Sequence, residues 1–203
     1  MATTKTLAAG MFSTGFSKPY VALYSASAGK LTYTKGQILA RGIEVKISPE
    51  SADDVTGYAD NGAAESAGGY FTGGTATVTV DGLTLAARKL VTGAQEPDSD
   101  GWVHESDSTV APYVGLGWIV RYKSNGSDLY MPFVLSKAKL NPINDDNSTQ
   151  KDTPTFDTQD LEFALFRADD TQHTWRMYND VFDTEAEAEA ALKKSLGIVA
   201  TEA

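Results

Sequence analysis

The stretch YVGLGWIVRYKSNGSDLYMPFVLSK, residues 113–137, constrains the fold more than any other part of the chain. Val114, Leu116, Trp118, Val120 and Tyr122 alternate along one side. Leu129, Met131, Phe133 and Leu135 repeat the period beyond a Ser-Asn-Gly-Ser-Asp turn. Period-two alternation on both sides of a turn predicts a β-hairpin over 113–123 and 129–138. Pro132, which lacks an N–H, predicts a bulge or an edge at that point. Gly115 and Gly117 lie inside a strand, not between strand and helix, so they form no phosphate cradle. Their missing side chains predict the close approach of another backbone or side chain.

The same period recurs along the chain. Strands are predicted over 16–25, 31–34, 38–47 and 70–80, with Ile43, Val45 and Ile47 alternating against Glu44 and Lys46. A second hairpin is predicted from 155–167 and 173–182, turning at Asp169 and Asp170, with Leu161, Phe163 and Leu165 opposite Trp175 and Met177. Leu83, Ala87, Leu90 and Val91 share one face of a short helix over 83–92, and Gly93 suits its C′ position. Residues 184–197 read as a helix with a Thr184–Glu187 capping box, acids in the first turn and Lys193 and Lys194 in the last. The expected class is mainly β: two packed β-sheets, a sandwich or partly open barrel, with a short side helix and a C-terminal helix. A length of 203 residues suits one domain with additions. Residues 1–15 read as a flexible N-terminal arm, 16–182 as the β domain, and 183–203 as the C-terminal helix and tail. Within the domain, 48–69 holds only Val55 and Tyr58 as large apolar residues and keeps no period. A structureless loop of about 20 residues is either functional or disordered.

Composition removes several kinds of chemistry. The chain has no cysteine, which excludes disulfides, thiolate metal sites and a cysteine nucleophile. His104 and His173 are its two histidines, too few for a three-histidine metal site. Asp53-Asp54, Asp145-Asp146 and Asp169-Asp170 are sequence neighbours, which point to opposite faces of an extended chain and form no acid–base pair by adjacency. PDSDGW at 97–102 lacks the remainder of a calcium loop. These residues point to no catalytic, cofactor-binding or metal site. No apolar run of 18 residues is present, and the N-terminal stretch lacks the apolar core of a signal peptide, so the expected setting is the cytoplasm, with no membrane. Net charge is −10, eight units of it within 101–203. Such a chain does not seek phosphate backbones, which takes clustered Lys and Arg.

Taken together, IEVKISPE at 43–50, YADN at 58–61, Glu65, YFTGGTATVTVDGL at 70–83, VGLGWIV at 114–120 and YMPFVLSKAKLNP at 130–142 form an ordered pattern. TPTFDTQDLEFALFR at 153–167 and TWRMYNDVFDTEAEAEAAL at 174–192 continue it. This order and spacing, from about Lys18 to Leu196, resembles the major tail tube proteins of long-tailed, siphovirus-type bacteriophages of Gram-positive hosts. The segment 57–69 departs from the family by its richness in Ala and Gly, and some positions basic in the family are Thr or Asp here.

The resemblance implies a ring-forming tail tube fold without enzymatic activity or cofactor. Six copies would make a ring, and rings would stack into a tube that conducts the genome. The implied partners are further copies, a tape measure protein, the tail terminator and distal tail proteins, with DNA only passing through. The implied location is the virion tail, after assembly in the host cytoplasm. The implied inter-ring loop places Asp53, Asp54, Tyr58, Asp60, Asn61 and Glu65 at an interface. Polar strand faces make Glu44, Lys46 and Glu162 the candidates for the lumen, where an acidic wall lets a polyanion slide. Two other classes compete: a structural or adhesive β-sandwich module of a virion or other surface, and a β-sandwich hydrolase needing two carboxylates across a cleft.

Overall fold

The computed structural model describes residues 4–5, 10–60, 62–145, 149 and 157–198. Seven strands come first: β1 (Thr4–Lys5), β2 (Phe12–Ser27), β3 (Lys30–Ile38), β4 (Gly42–Ser51), β5 (Val55–Ala59), β6 (Gly62–Ala67) and β7 (Phe71–Val80). Helix α1 (Leu85–Thr92) follows, then β8 (Tyr113–Ser124), β9 (Ser127–Leu140), β10 (Gln159–Phe166), β11 (Arg176–Tyr178) and β12 (Val181–Phe182). Helix α2 (Glu185–Ser195) closes the order.

The fold is mainly β, as its alternating sequence requires. Ten strands form one antiparallel sheet in the order β3-β2-β8-β9-β10-β7-β4, with β11 and β12 along β9 and β1 on β12; β5 and β6 form a separate two-stranded sheet. The large sheet rolls on itself. Strand β4, at the far end of the order, comes back against β2, and the Phe16 ring occupies the space in front of Gly42. The two packed layers are therefore halves of one sheet in a partly open barrel. Its interior is filled by Val21, Val78, Leu116, Trp118, Leu135, Leu161 and Phe163, among others. Thr84 caps α1 by accepting from Ala87 N–H at 3.2 Å, and Gly93 ends it at φ 75°. The helix packs Ala87 and Val91 into the same interior.

Helix α2 lies on the outer face of β2, β8 and β9. Ala188, Leu192 and Leu196 pack against Tyr20, Tyr33, Ile119, Val134 and Phe182. The approach is close because β8 offers glycine there. A Cβ on Gly117 would stand 2.5 Å from Leu192 Cδ1, and one on Gly115 would overlap the Tyr33 ring. That ring cannot swing aside freely, since its hydroxyl donates to Ser136 O at 2.9 Å. Polar contacts pin the same helix. Ser17 Oγ donates to Glu185 at 2.6 Å and Tyr20 Oη to Glu189 at 2.7 Å. Lys193 pairs with Glu189 at 2.7 Å, and Lys18 pairs with it from β2. Burial alone would raise the Glu189 carboxyl; the donors Lys18, Lys193 and Tyr20 outweigh it and hold it down at about 2.

Four expectations need correction. Segment 155–167 does not fold back on 173–182. Strand β10 instead lies between β9 and β7, with Phe163 opposite both Leu140 and Ala76, and β11 rejoins the same edge of β9 at Arg176–Leu135. Alternation states which face of a strand is buried; it does not state which edge it pairs along. Pro132 marks no edge: β8 flanks it at Ile119. Its carbonyl accepts from Asn179 N–H at 3.3 Å, so its missing N–H falls in the gap between β11 and β12. The expected arm is partly sheet. Strand β2 starts at Phe12, opposite Lys123, and Thr4–Lys5 pair with Val181–Phe182. The expected loop 48–69 is strand to Ser51 and then the β5–β6 hairpin.

Gly115→Val should destabilise the fold by about 1–3 kcal/mol, the usual cost of overpacking, read as a lower urea midpoint. Glu189→Gln should lower stability by about 1 kcal/mol near neutral pH, discounted for the solvent that reaches the network. The Glu189 pKa is depressed, so its contribution is full above the ordinary carboxylate range and fades as pH falls toward about 2. Wild-type and variant melting curves should therefore converge on acidification.

Candidate functional site

Three surfaces stand out once the barrel interior is accounted for. The first is the β5–β6 hairpin. Its base is closed by Ala52 N–H to Tyr70 O at 2.9 Å and Gly69 N–H to Ala52 O at 3.0 Å. Beyond the base, β5 and β6 pair with each other as a separate two-stranded sheet, from Val55–Ala67 to Ala59–Gly62. Asp60 enters the turn at φ 49°, a conformation that Asp and Asn tolerate best among non-glycine residues. The Asp-Asn-Gly run at 60–62 is the hairpin signal the sequence does carry. Asp53, Asp54, Asp60 and Glu65 are exposed along the hairpin, and Val55 is 69% exposed. Tyr58 lies in β5 opposite Ala63. Asn61 lies outside the described residues. The structure thus gathers the described members of the expected interface set on one projecting element.

The second surface is the outer face of β4, β7 and β10. Glu44 stands opposite Thr79, and Thr79 opposite Asp160; Lys46 stands opposite Thr77, and Thr77 opposite Glu162. Glu44, Lys46 and Glu162 therefore share one face, in two adjacent rows. All three are exposed. Thr79 Oγ1 donates to Asp160 at 2.6 Å, and Asn141 Nδ2 to Glu162 at 2.6 Å, so the rows are tied by hydrogen bonds. The buried partners of this face, Ala76, Val78, Leu161 and Phe163, point into the barrel.

The third surface was not anticipated. On the outer side of β2, β8, β9 and the end of β10, Tyr24, Tyr113 and Phe166 meet edge to face, at 6.5 and 5.4 Å between centroids. Lys137 Nζ lies 4.5 Å from the centre of the Tyr113 ring, and Lys139 Nζ 5.8 Å. The only sequence signal is that Lys137 and Lys139 alternate with the buried Ala138 and Leu140. Alternation places them outward and says nothing of the rings beside them.

Two openings adjoin the barrel interior and its rim. One, about 410 Å³, lies where the barrel stays unzipped, lined by Phe16, Ile43, Val45, Trp118, Val120 and Phe133. The other, about 430 Å³, is lined by Arg88, Glu105, Lys139 and Asp145 among others. Arg88 grips Asp145 through two hydrogen bonds, at 2.9 and 2.5 Å, and this guanidinium holds the Asp145 carboxyl below its ordinary range. His104 Nε2 stands 2.8 Å from Asp98 Oδ2 and holds that carboxyl low. His173 packs its ring near Ala168 O at 3.3 Å. Among the described residues, every carboxyl with a shifted pKa is shifted down, so these groups stay ionised and act as acceptors. Among the described residues no group of three His, Asp or Glu is placed to hold a metal ion, and no helix is long and apolar enough to cross a membrane.

No family model matches the chain, and no curated protein matches it.

Replacing residues 54–67 by Asn-Gly should leave the barrel intact, because among the described residues the buried core draws none of its members from that segment. The thermal midpoint and the near-ultraviolet circular dichroism should stay close to those of the full chain. A collapse of cooperative melting would show that the hairpin belongs to the folding unit.

Proposed function

We propose that this chain is a structural subunit that associates with copies of itself into rings of six, stacked as the tail tube of a long-tailed bacteriophage. The observation that carries the reading is the projecting hairpin. A two-stranded ribbon without a packed third layer is marginal in water. One held clear of the barrel, with exposed Val55 and four carboxylates, is suited to ordering against another chain. The residue pattern resembling tail tube proteins supports the same assignment.

The barrel interior adds a second argument. It is filled by Trp118, Leu116, Phe163 and their neighbours, so a conduit has no room inside one subunit. A channel must be shared between copies. The outward row of Glu44, Lys46 and Glu162, with Asp160 and the threonines between, is a polar wall of net negative sign, which suits a lumen for a polyanion. The hairpin serves as the contact between rings. A tape measure protein occupies the lumen during assembly, terminator and distal tail proteins close the two ends, and the genome passes through on delivery. The place of action is the virion tail, after assembly in the host cytoplasm.

Negative-stain electron microscopy of the purified chain over a range of concentration tests the reading. Rings or hollow tubes of uniform width are expected. Compact single particles, both alone and after co-expression with tail-tip proteins, would overturn it in favour of a monomeric surface module. Glu44→Lys combined with Glu162→Lys should permit tubes and slow genome release from phage that carry the variant. Unchanged release would remove both residues from the lumen.

A further inference from the structure

Leu85 and Trp102 are 54% and 71% exposed, and both border one concavity of about 390 Å³ beside α1. One wall is a helix face. Leu85, Arg88 and Lys89 fall at i, i+3 and i+4, on the side of α1 away from Ala87 and Val91, which pack into the barrel. The other wall is the turn that carries Gly101, Trp102, Val103 and Glu105. That turn is tightly bonded. Asp98 N–H donates to Trp102 O at 3.0 Å, and Gly101 N–H donates to Asp98 O at 3.0 Å. Asp98 Oδ1 accepts from Asp100 N–H at 3.0 Å and from Trp102 N–H at 2.9 Å. Gly101 takes φ 87° at the corner, which glycine adopts without strain. Both backbone groups of Trp102 are therefore bonded to Asp98, while the indole stands in solvent on an ordered backbone. Tryptophan is enriched among the residues that dominate binding energy, and an ordered backbone leaves little freedom to lose on docking.

The surround is acidic. No Lys or Arg occurs between Lys89 and Arg121, while Glu96, Asp98, Asp100, Glu105 and Asp107 all fall within that span. The two cations of the helix face are already matched. Lys89 pairs with Glu96, and Arg88 with Asp145 at 2.5 Å and Glu105 at 3.8 Å. Asp98 and Asp100 add further negative charge within the turn itself, where His104 is bonded to Asp98 at 2.8 Å.

We propose that the Leu85–Trp102 cleft is the docking site for a basic amphipathic segment of another protein. Such a segment sets a large apolar side chain against the indole and Leu85, and Lys or Arg against Asp98, Asp100 and Glu105. The apolar walls call for the anchor, and the carboxylates call for its cationic flanks and turn away a polyanion. The chain's own paired cations are spent elsewhere: Arg121 and Lys123 on Asp128, Lys18 and Lys193 on Glu189. The matching charge therefore comes from a different protein and not from a second copy. The carboxylates are largely at the surface, so binding weakens as salt rises. The site uses α1 and the loop after it, none of the surfaces invoked for assembly, so it goes beyond the tail tube reading and does not depend on it.

The probe is a labelled peptide of Leu and Lys patterned as an amphipathic helix, titrated by fluorescence anisotropy at about 0.1 M salt. Two control peptides carry Ser in place of Leu, or Glu in place of Lys. The Leu–Lys peptide should bind about tenfold tighter than either control and shift the Trp emission to the blue as the indole leaves water. Trp102→Ala should weaken binding about tenfold or more, and Asp100→Lys severalfold. Both should keep the thermal midpoint, since both side chains are exposed. Trp102→Phe should keep most of the affinity and lose the blue shift. Equal affinity of wild type and Trp102→Ala, or of the Leu–Lys and Ser–Lys peptides, would overturn the proposal. So would binding of a soluble glucan oligosaccharide in place of the peptide, which would make the cleft a sugar site. Rings or tubes of the wild-type chain should persist in Trp102→Ala; their loss would assign the cleft to contact between copies and overturn the proposal. A wild-type chain that binds the peptide and never assembles would sink the tail tube reading alone.

Discussion

Strand β9 has two edges to satisfy over fourteen residues, and much of the molecule is arranged by that requirement. An unpaired buried N–H or C=O is expensive, so an interior strand must find partners along its whole length. Strand β8 takes one edge from end to end. The other edge is covered by fragments: β10 opposite Lys137–Leu140, the Trp175 carbonyl on Ser136 N–H, β11 opposite Phe133–Leu135, and β12 at Tyr130. Proline is tolerated inside this strand because it sits at the join between two of those fragments. The same fragments place Phe182 and, two residues on, the cap of α2, which then lies back over β8.

That arrangement explains which parts of the fold were legible in the sequence. Faces were legible. Val114, Leu116 and Trp118 point inward as their alternation requires, and Leu161, Phe163 and Leu165 likewise. Caps were legible, because Thr184 and Gly93 act through short-range geometry that a few residues specify. The Gly115 and Gly117 gap was legible as a close approach, though not that the approaching element would be α2. Edges were not legible. Strand β10 pairs with β7, some eighty residues earlier, and nothing local in 155–167 announces it. The β5–β6 hairpin was hidden for a different reason: apart from Val55, Tyr58 and Glu65 its strands are Ala, Gly, Thr and Ser, a sequence that carries no apolar alternation. The candidate surfaces divide the same way. Glu44, Lys46 and Glu162 fell together because register and alternation agree, whereas the Tyr113–Phe166 face joins β2 and the end of β10 to the β8–β9 hairpin, segments distant from one another in sequence.

In the proposed tube, stability and assembly draw on separate parts of the chain. The barrel and its outer helix hold a filled apolar interior and the Glu189 network. Among the described residues, the β5–β6 hairpin, the acidic outer rows and the Tyr113–Phe166 face contribute little to that interior. Substitutions on the barrel axis should therefore act on folding, and those on the outer surfaces on association, with modest cross-talk between them. Such a division lets surface chemistry vary while the subunit keeps its shape.

The long reach of the sheet also bears on synthesis. Phe12 pairs with Lys123, so the first long strand leaves the ribosome well before its principal partner exists. Topologies of this kind fold slowly, because distant segments must meet before contacts reward them. The barrel wall is completed only when β10 arrives between β9 and β7, and its outer cover only when α2 has been made. The β5–β6 hairpin that the proposed function assigns to assembly is translated early, but the rigid body it must work against comes last. The order of translation then acts as a timer: a nascent chain has no finished platform from which to recruit another subunit.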